Sequence, residues 1–139
     1  MKTTGVILML FLMFVFGGCE RGASLDLPDP PAGFLHEKEN INQGKKLFMA
    51  HCAECHGSLA EGRTQRAARF QPPAPDFHEL SYRKVAPGYL YRRIERGRLI
   101  EPFGSRGSVM PPWGNYLSER EIWTLVAYLI YRNDVSTGG

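Results

Sequence analysis

Cysteine is scarce: the 139 residues hold three, Cys19, Cys52 and Cys55. With one close pair, the chain lacks the second pair that would complete a four-ligand structural zinc site. Alternation of apolar and polar residues is also missing. No half-buried strand is predicted, and the strand–helix pattern that houses a dithiol redox pair is absent. The length excludes a second domain of ordinary size. The longest apolar run, residues 6–16, is too short to cross a bilayer comfortably, which takes about 20 residues. Methionine is limited to five residues, and Met1, Met9 and Met13 all fall before residue 17.

The N-terminus reads as an address rather than as structure. Lys2, the apolar run, and the small residues Gly17 and Gly18 have the order of an export signal, assigned to residues 1–18. A retained transmembrane helix is the alternative, which the short run disfavours. Phe16-Gly17-Gly18-Cys19 resembles the bacterial lipobox, with Phe16 where that pattern usually carries Leu. The resemblance makes Cys19 the lipidation site and first mature residue. Ordinary cleavage would instead leave an odd thiol in an exported protein. Two or more acyl chains turn marginal membrane binding into stable anchoring. Residues 19–38, with Pro28, Pro30 and Pro31, are expected to form a tether reaching at most about 60 Å. The folded domain then occupies residues 39–139, on the periplasmic side of a bacterial membrane. By the same resemblance, Glu20 after the cysteine leans toward the outer membrane.

Charge is unevenly placed within a net +3. Arg63, Arg66, Arg69, Arg83, Lys84, Arg92, Arg93, Arg96, Arg98 and Arg106 crowd the middle, opposed there by Glu61, Asp76, Glu79, Glu95 and Glu101. Such a run is either a solvated face or a docking surface for an acidic protein. Nucleic acid is not an expected partner for an exported, membrane-tethered chain.

Cys52-Ala53-Glu54-Cys55-His56 fits C-x-x-C-H, the attachment pattern for c-type haem. The two thiols, one helical turn apart, reach the two vinyl groups of one porphyrin edge, and His56 supplies its imidazole to the iron. Gly57 leaves room for the chain to turn away. Adjacent Cys55 and His56 cannot easily share one tetrahedral ion. Two thioethers and one lipid anchor account for all three cysteines, so one covalent haem c is expected.

Electron transfer without substrate binding wants a second axial ligand. Met49 lies too close to Cys52 to reach the opposite face. Met110 remains, in Ser108-Val109-Met110-Pro111-Pro112-Trp113-Gly114, with prolines stiffening the backbone after it. Core filling is the commoner fate of a methionine. His78 is the competing ligand, with His36 and His51 behind it; a bis-His haem would have a lower potential than His/Met ligation.

Helical periodicity places a first helix over residues 42–51, with Gly44 and Phe48 on one face. A middle helix spans residues 87–96, with Pro87 at its start and Gly97 past its end. A last helix follows the capping box Ser118-Glu119-Arg120-Glu121 and must be largely buried. The domain is all-α.

With these residues in place, the chain resembles the class I c-type cytochromes over residues 39–132. The resemblance implies the class I cytochrome c fold, helices packed around one covalently bound haem. It implies that Gly44 lets the first and last helices cross closely, and that Phe48 packs against Leu125 and Tyr128. It implies a proline carbonyl on the proximal His ring N–H; Pro75 looks like that residue, with Pro72 and Pro73 as alternatives. Met110-Pro111 would supply the sixth ligand. More specifically, residues 72–97 and the ending Met110-Pro111-Pro112-Trp113 look like cytochrome subunits of bacterial respiratory complexes, a lipid-anchored subunit of alternative complex III being the nearest type.

The expected function is single-electron transfer, not catalysis, with redox proteins or respiratory-complex subunits as partners. Phe77, Tyr82, Tyr89, Phe103 and Trp113 are candidates for pocket lining, or for ordinary core. Arg63, Arg83, Arg92 and Arg98 are candidates for the propionates. Two other readings stand beside this one: a haem enzyme or gas sensor with an open sixth position, and a mainly structural haem subunit.

Overall fold

The computed structural model describes residues 27–58 and 62–135. The expected signal at residues 1–18 and the expected lipidation site Cys19 lie outside them. Among these residues five α-helices follow one another: α1 Lys38–His51, α2 Ala53–His56, α3 Gln65–Ala68, α4 Pro87–Arg96 and α5 Glu119–Val135. Single 3-10 turns at Phe34–His36, Leu80–Lys84, Gly97–Leu99 and Trp113–Asn115 punctuate the loops. No strand occurs among the described residues, in line with the all-α expectation. None of their helices is long and apolar enough to cross a membrane.

The first and last helices form the most extensive contact in the fold, and Gly44 explains how they come so close. A Cβ placed there would lie 1.8 Å from the Thr124 carbonyl oxygen and 2.9 Å from Tyr128 Cβ. Four residues on, Phe48 is 1 % exposed, its ring 5.3 Å from that of Tyr128 and 6.2 Å from that of Phe77. The capping box before α5 forms as expected: Ser118 N–H donates to Glu121 Oε2 (2.8 Å) and Glu121 N–H to Ser118 Oγ (3.4 Å). Residues 122–129 are then buried on every side, and Tyr91 of α4 packs its ring 4.5 Å from Trp123.

One helix boundary differs from the sequence reading. α1 begins at Lys38 rather than residue 42, and Asn40 in its first turn is buried and ties it to neighbouring segments. Its amide donates to Phe34 O (3.0 Å) and Glu37 Oε2 (2.8 Å), and its Oδ1 accepts from Arg120 (3.2 Å). Within residues 27–38 the chain is anchored at a few points, while Asp29, residues 31–33 and residues 36–38 are exposed. Phe34 and Leu35 are buried in the core, and the Leu27–Pro28 backbone lies against Gly88. Proline content pointed to a tether, but two large apolar side chains at about 1.5–3 kcal/mol each dock that segment.

Candidate functional site

The C-x-x-C-H motif straddles a break between helices. Cys52 closes α1, its N–H donating to Phe48 O (2.8 Å), and the single turn of α2 brings Cys55 and His56 round. The turn then ends abruptly at Gly57 (φ 71°), where a Cβ would sit 1.3 Å from Gly62 O. Only glycine fits, since both the backbone angle and the space demand it.

His56 Nδ1 lies 3.2 Å from the Pro75 carbonyl oxygen. A carbonyl only accepts, so Nδ1 carries the proton and the lone pair resides on Nε2. Of the three prolines considered, Pro75 thus makes this contact. The Phe77 ring packs 5.0 Å from the imidazole. Burial holds His56 below its ordinary range against the Pro75 hydrogen bond, and the Arg132 and Arg93 charges push the same way as burial. A neutral imidazole with one free lone pair is what a metal ligand must be.

A cleft of about 450 Å³ opens before these groups. Cys52, Cys55, His56 and Pro75 line it, and so does Met110. The five aromatic candidates, Phe77, Tyr82, Tyr89, Phe103 and Trp113, all belong to its wall, with Leu90, Ile94 and Leu129. Met110 sits on a loop without secondary structure, tied by Arg98 N–H donating to its carbonyl (2.8 Å). A Cβ on Gly97 would strike the Met110 and Pro111 carbonyls at 2.6 and 2.1 Å, so the loop closes against a glycine turn. The Met110 sulfur lies 3.9 Å from Arg93 Nη2.

The competing histidines are placed differently. His78 Nδ1 is 3.2 Å from Asp76 Oδ1, and His78 is not part of the cleft wall. His36 lies in the first 3-10 turn, also away from the cleft. His51 reaches the wall and packs 5.4 Å from the Trp113 ring. Met49, half exposed, does not line the cleft.

Of the arginines proposed for the propionates, Arg63 lines the cleft and donates to Ala74 O (3.0 Å). Arg92 pairs with Glu95 (2.9 Å) and Arg98 is exposed; neither lines it. The Arg83 side chain is not among those described. Arg93 was missed. It enters the wall between Leu90 and Ile94, its guanidinium 3.9 Å over the Phe103 ring and donating to Gly97 O (2.7 Å). Its position three residues after Leu90, on the apolar stripe of α4, was the available signal.

Cys52 and Cys55 are both free. Burial, and then the neighbouring Cys55, push the Cys52 thiol up to about 12, so a thiolate there is costly and a neutral thioether is not. Among the described residues no three His, Cys, Asp or Glu side chains gather as a metal site. Two cysteines one turn apart, the buried Cys52 thiol disfavouring its thiolate, one oriented imidazole and an apolar cleft with two arginines at its wall fit a covalently held haem better than a thiolate metal site or a dithiol redox pair.

Residues 39–129 match the family described as cytochrome C oxidase, cbb3-type, subunit III. The cbb3-type cytochrome c oxidase subunit FixP of Azorhizobium caulinodans is 27 % identical over 88 residues, 63 % of this chain and 25 % of that protein. FixP of Sinorhizobium medicae is 32 % identical over 91 residues, 65 % of this chain and 29 % of that protein. The match thus spans less than a third of either relative's length. The matched segment contains the C-x-x-C-H turn, the cleft and most of α5, and the chain belongs to the cytochrome c domain family of cbb3-type oxidase subunit III.

Proposed function

We propose that the chain is a single-electron carrier holding one haem c through thioethers to Cys52 and Cys55, with His56 and Met110 as axial ligands. The observation that carries this reading is the shared cleft, into whose wall the motif's three side chains and Met110 all enter. When bound, the haem supplies one-electron Fe(III)/Fe(II) chemistry. The chain's own residues do the rest. Pro75 fixes the His56 tautomer, the Gly97 turn and Arg98 N–H hold the Met110 loop, and the aromatic wall excludes water. An apolar surround and a thioether ligand both favour the ferrous state.

We further propose export, acylation at Cys19 and attachment on the periplasmic side of a bacterial membrane, with respiratory-complex subunits as partners. The similarity to FixP supports a cbb3-type oxidase as the kind of complex; alternative complex III is the other assignment. The enzyme or gas-sensor reading needs a distal acid–base group, and its one candidate, His78, engages Asp76 outside the cleft. The test is spectroscopic. Purified protein should carry one haem per chain that survives denaturing electrophoresis, and the oxidised form should show the long-wavelength band of sulfur-ligated ferric haem. Freely extractable haem, or two per chain, would refute the assignment.

A further inference from the structure

Arg132 of α5 is wholly buried, with 0 % exposure. Its guanidinium donates to the carbonyls of Gly57 (Nη1, 3.0 Å) and Ser58 (Nη2, 2.7 Å), the two residues that follow His56. The rings of Phe48 and Phe77 lie 5.0 and 5.6 Å from it, and its Nε meets no acceptor. Among the described residues its hydrogen-bond partners are carbonyls, not carboxylates. A buried cation with no carboxylate in hydrogen-bond contact is costly, and an apolar side chain of similar size usually packs there at least as well. Arg132 does not line the cleft, so it cannot touch a bound cofactor. Arg63 and Arg93 do line it, where acidic groups of a cofactor can neutralise them. Among the described residues only the Asp76 carboxylate, which makes no hydrogen bond to it, offsets the Arg132 charge beside the proximal ligand.

We propose that Arg132 is a positioning residue of the haem site: it pins the backbone after His56 to α5, and its fixed charge raises the reduction potential of the iron. The inference rests on the haem reading above. Reduction brings one electron from the donor and takes ferric iron to ferrous, with no bond made and no proton moved. The ferric state carries the additional positive charge, so a fixed cation in a poorly screened interior disfavours it more. Lysine keeps an ammonium with three N–H donors and glutamine an amide with two, and each loses the guanidinium fork, so structural loosening is common to both and charge is the main difference between them.

The experiment is redox titration of full-length Arg132→Lys and Arg132→Gln, at mildly acidic pH so that a buried ammonium keeps its proton, after covalent haem has been quantified. The expected result is a clear fall in midpoint potential for the Gln variant and a near-wild-type value for the Lys variant, with equal losses of thermal stability. An unchanged Gln potential, or a Lys potential that falls as far as Gln, would overturn the proposal. If Gln does not accumulate, Arg132→Met serves as the neutral member. If neither neutral variant carries haem, the Lys value decides, and a fall there overturns the proposal. Wild-type protein without covalent haem would refute the haem reading instead.

Discussion

Gly44→Ala is the most incisive test of the packing that underlies the site. The new Cβ would lie 1.8 Å from Thr124 O and 2.6 Å from Thr124 C, and both atoms are backbone of a buried helix that no rotamer change can move aside. Real Cβ contacts essentially never fall under 3.0 Å, so α1 and α5 must part by more than an ångström. A gap of about 0.5–1 Å forfeits a quarter to a half of each dispersion contact, and Phe48 and Tyr128 lie across that seam. Overpacking alone costs about 1–3 kcal/mol, against about 0.5–1 kcal/mol that alanine gains over glycine in a helix. Adding the lost contacts, a net loss of about 3 kcal/mol is expected, or roughly 10–20 °C in Tm for a domain of this size. Thermal unfolding of the haem-bearing protein, followed by circular dichroism, measures it. Lys45→Ala, exposed on the next position of the same helix, should move Tm little. A Gly44→Ala protein as stable as the wild type would refute the close crossing.

Three further outcomes follow from named contacts. Met110→Ala should turn the iron high-spin or water-ligated and lower its potential while the haem stays covalently attached, whereas His78→Ala should leave the low-spin spectrum unchanged; the reverse pattern would indicate bis-His ligation. The Asp76 carboxyl is held below the ordinary carboxylate range, chiefly by the His78 backbone N–H (2.9 Å). Its contribution to stability is therefore present above the unfolded carboxylate value of about 3.9 and lost as pH falls through its lower folded value. Its side chain is 28 % exposed, so Asp76→Asn should flatten the acid limb of a stability–pH curve by no more than about 1 kcal/mol. Cys19→Ser should release the chain into the soluble exported fraction or leave it unprocessed; unchanged membrane attachment after signal removal would point to a partner as the anchor.

What could be read from the chain beforehand depended on how local its cause is. The C-x-x-C-H turn is five contiguous residues, and the α5 start is a four-residue capping box, so both were legible. Periodicity put Gly44 and Phe48 on one face, but their roles were legible only through family resemblance, because the reason for the glycine is Thr124, eighty residues away. Residues whose role arises from tertiary contact escaped. Phe34 and Leu35 looked like part of a proline-rich tether until α5 covered them. Arg132 falls four residues after Tyr128 and seven after Leu125, on the buried stripe of α5. A cation at that register is a signal, but its acceptors, two carbonyls near His56, have no mark in the sequence.

The architecture bears on how the proposed ligands serve electron transfer. The segments bearing Pro75 and Met110 have no helical or strand ladder of their own, so their backbone must be held by other means. Arg63 donates to Ala74 O next to Pro75, and Arg98 N–H donates to Met110 O. The Gly97 turn closes against Met110 and Pro111 with no room for a side chain. On the opposite side, Gly57 and Arg132 fix the chain leaving His56. Each ligand-bearing backbone is therefore located by protein contacts that owe nothing to the iron's charge. A site held this way keeps its geometry when one electron arrives or leaves, because the supporting contacts do not change with oxidation state. That is the property an outer-sphere carrier needs, and a site whose loops were positioned by the metal alone would lack it.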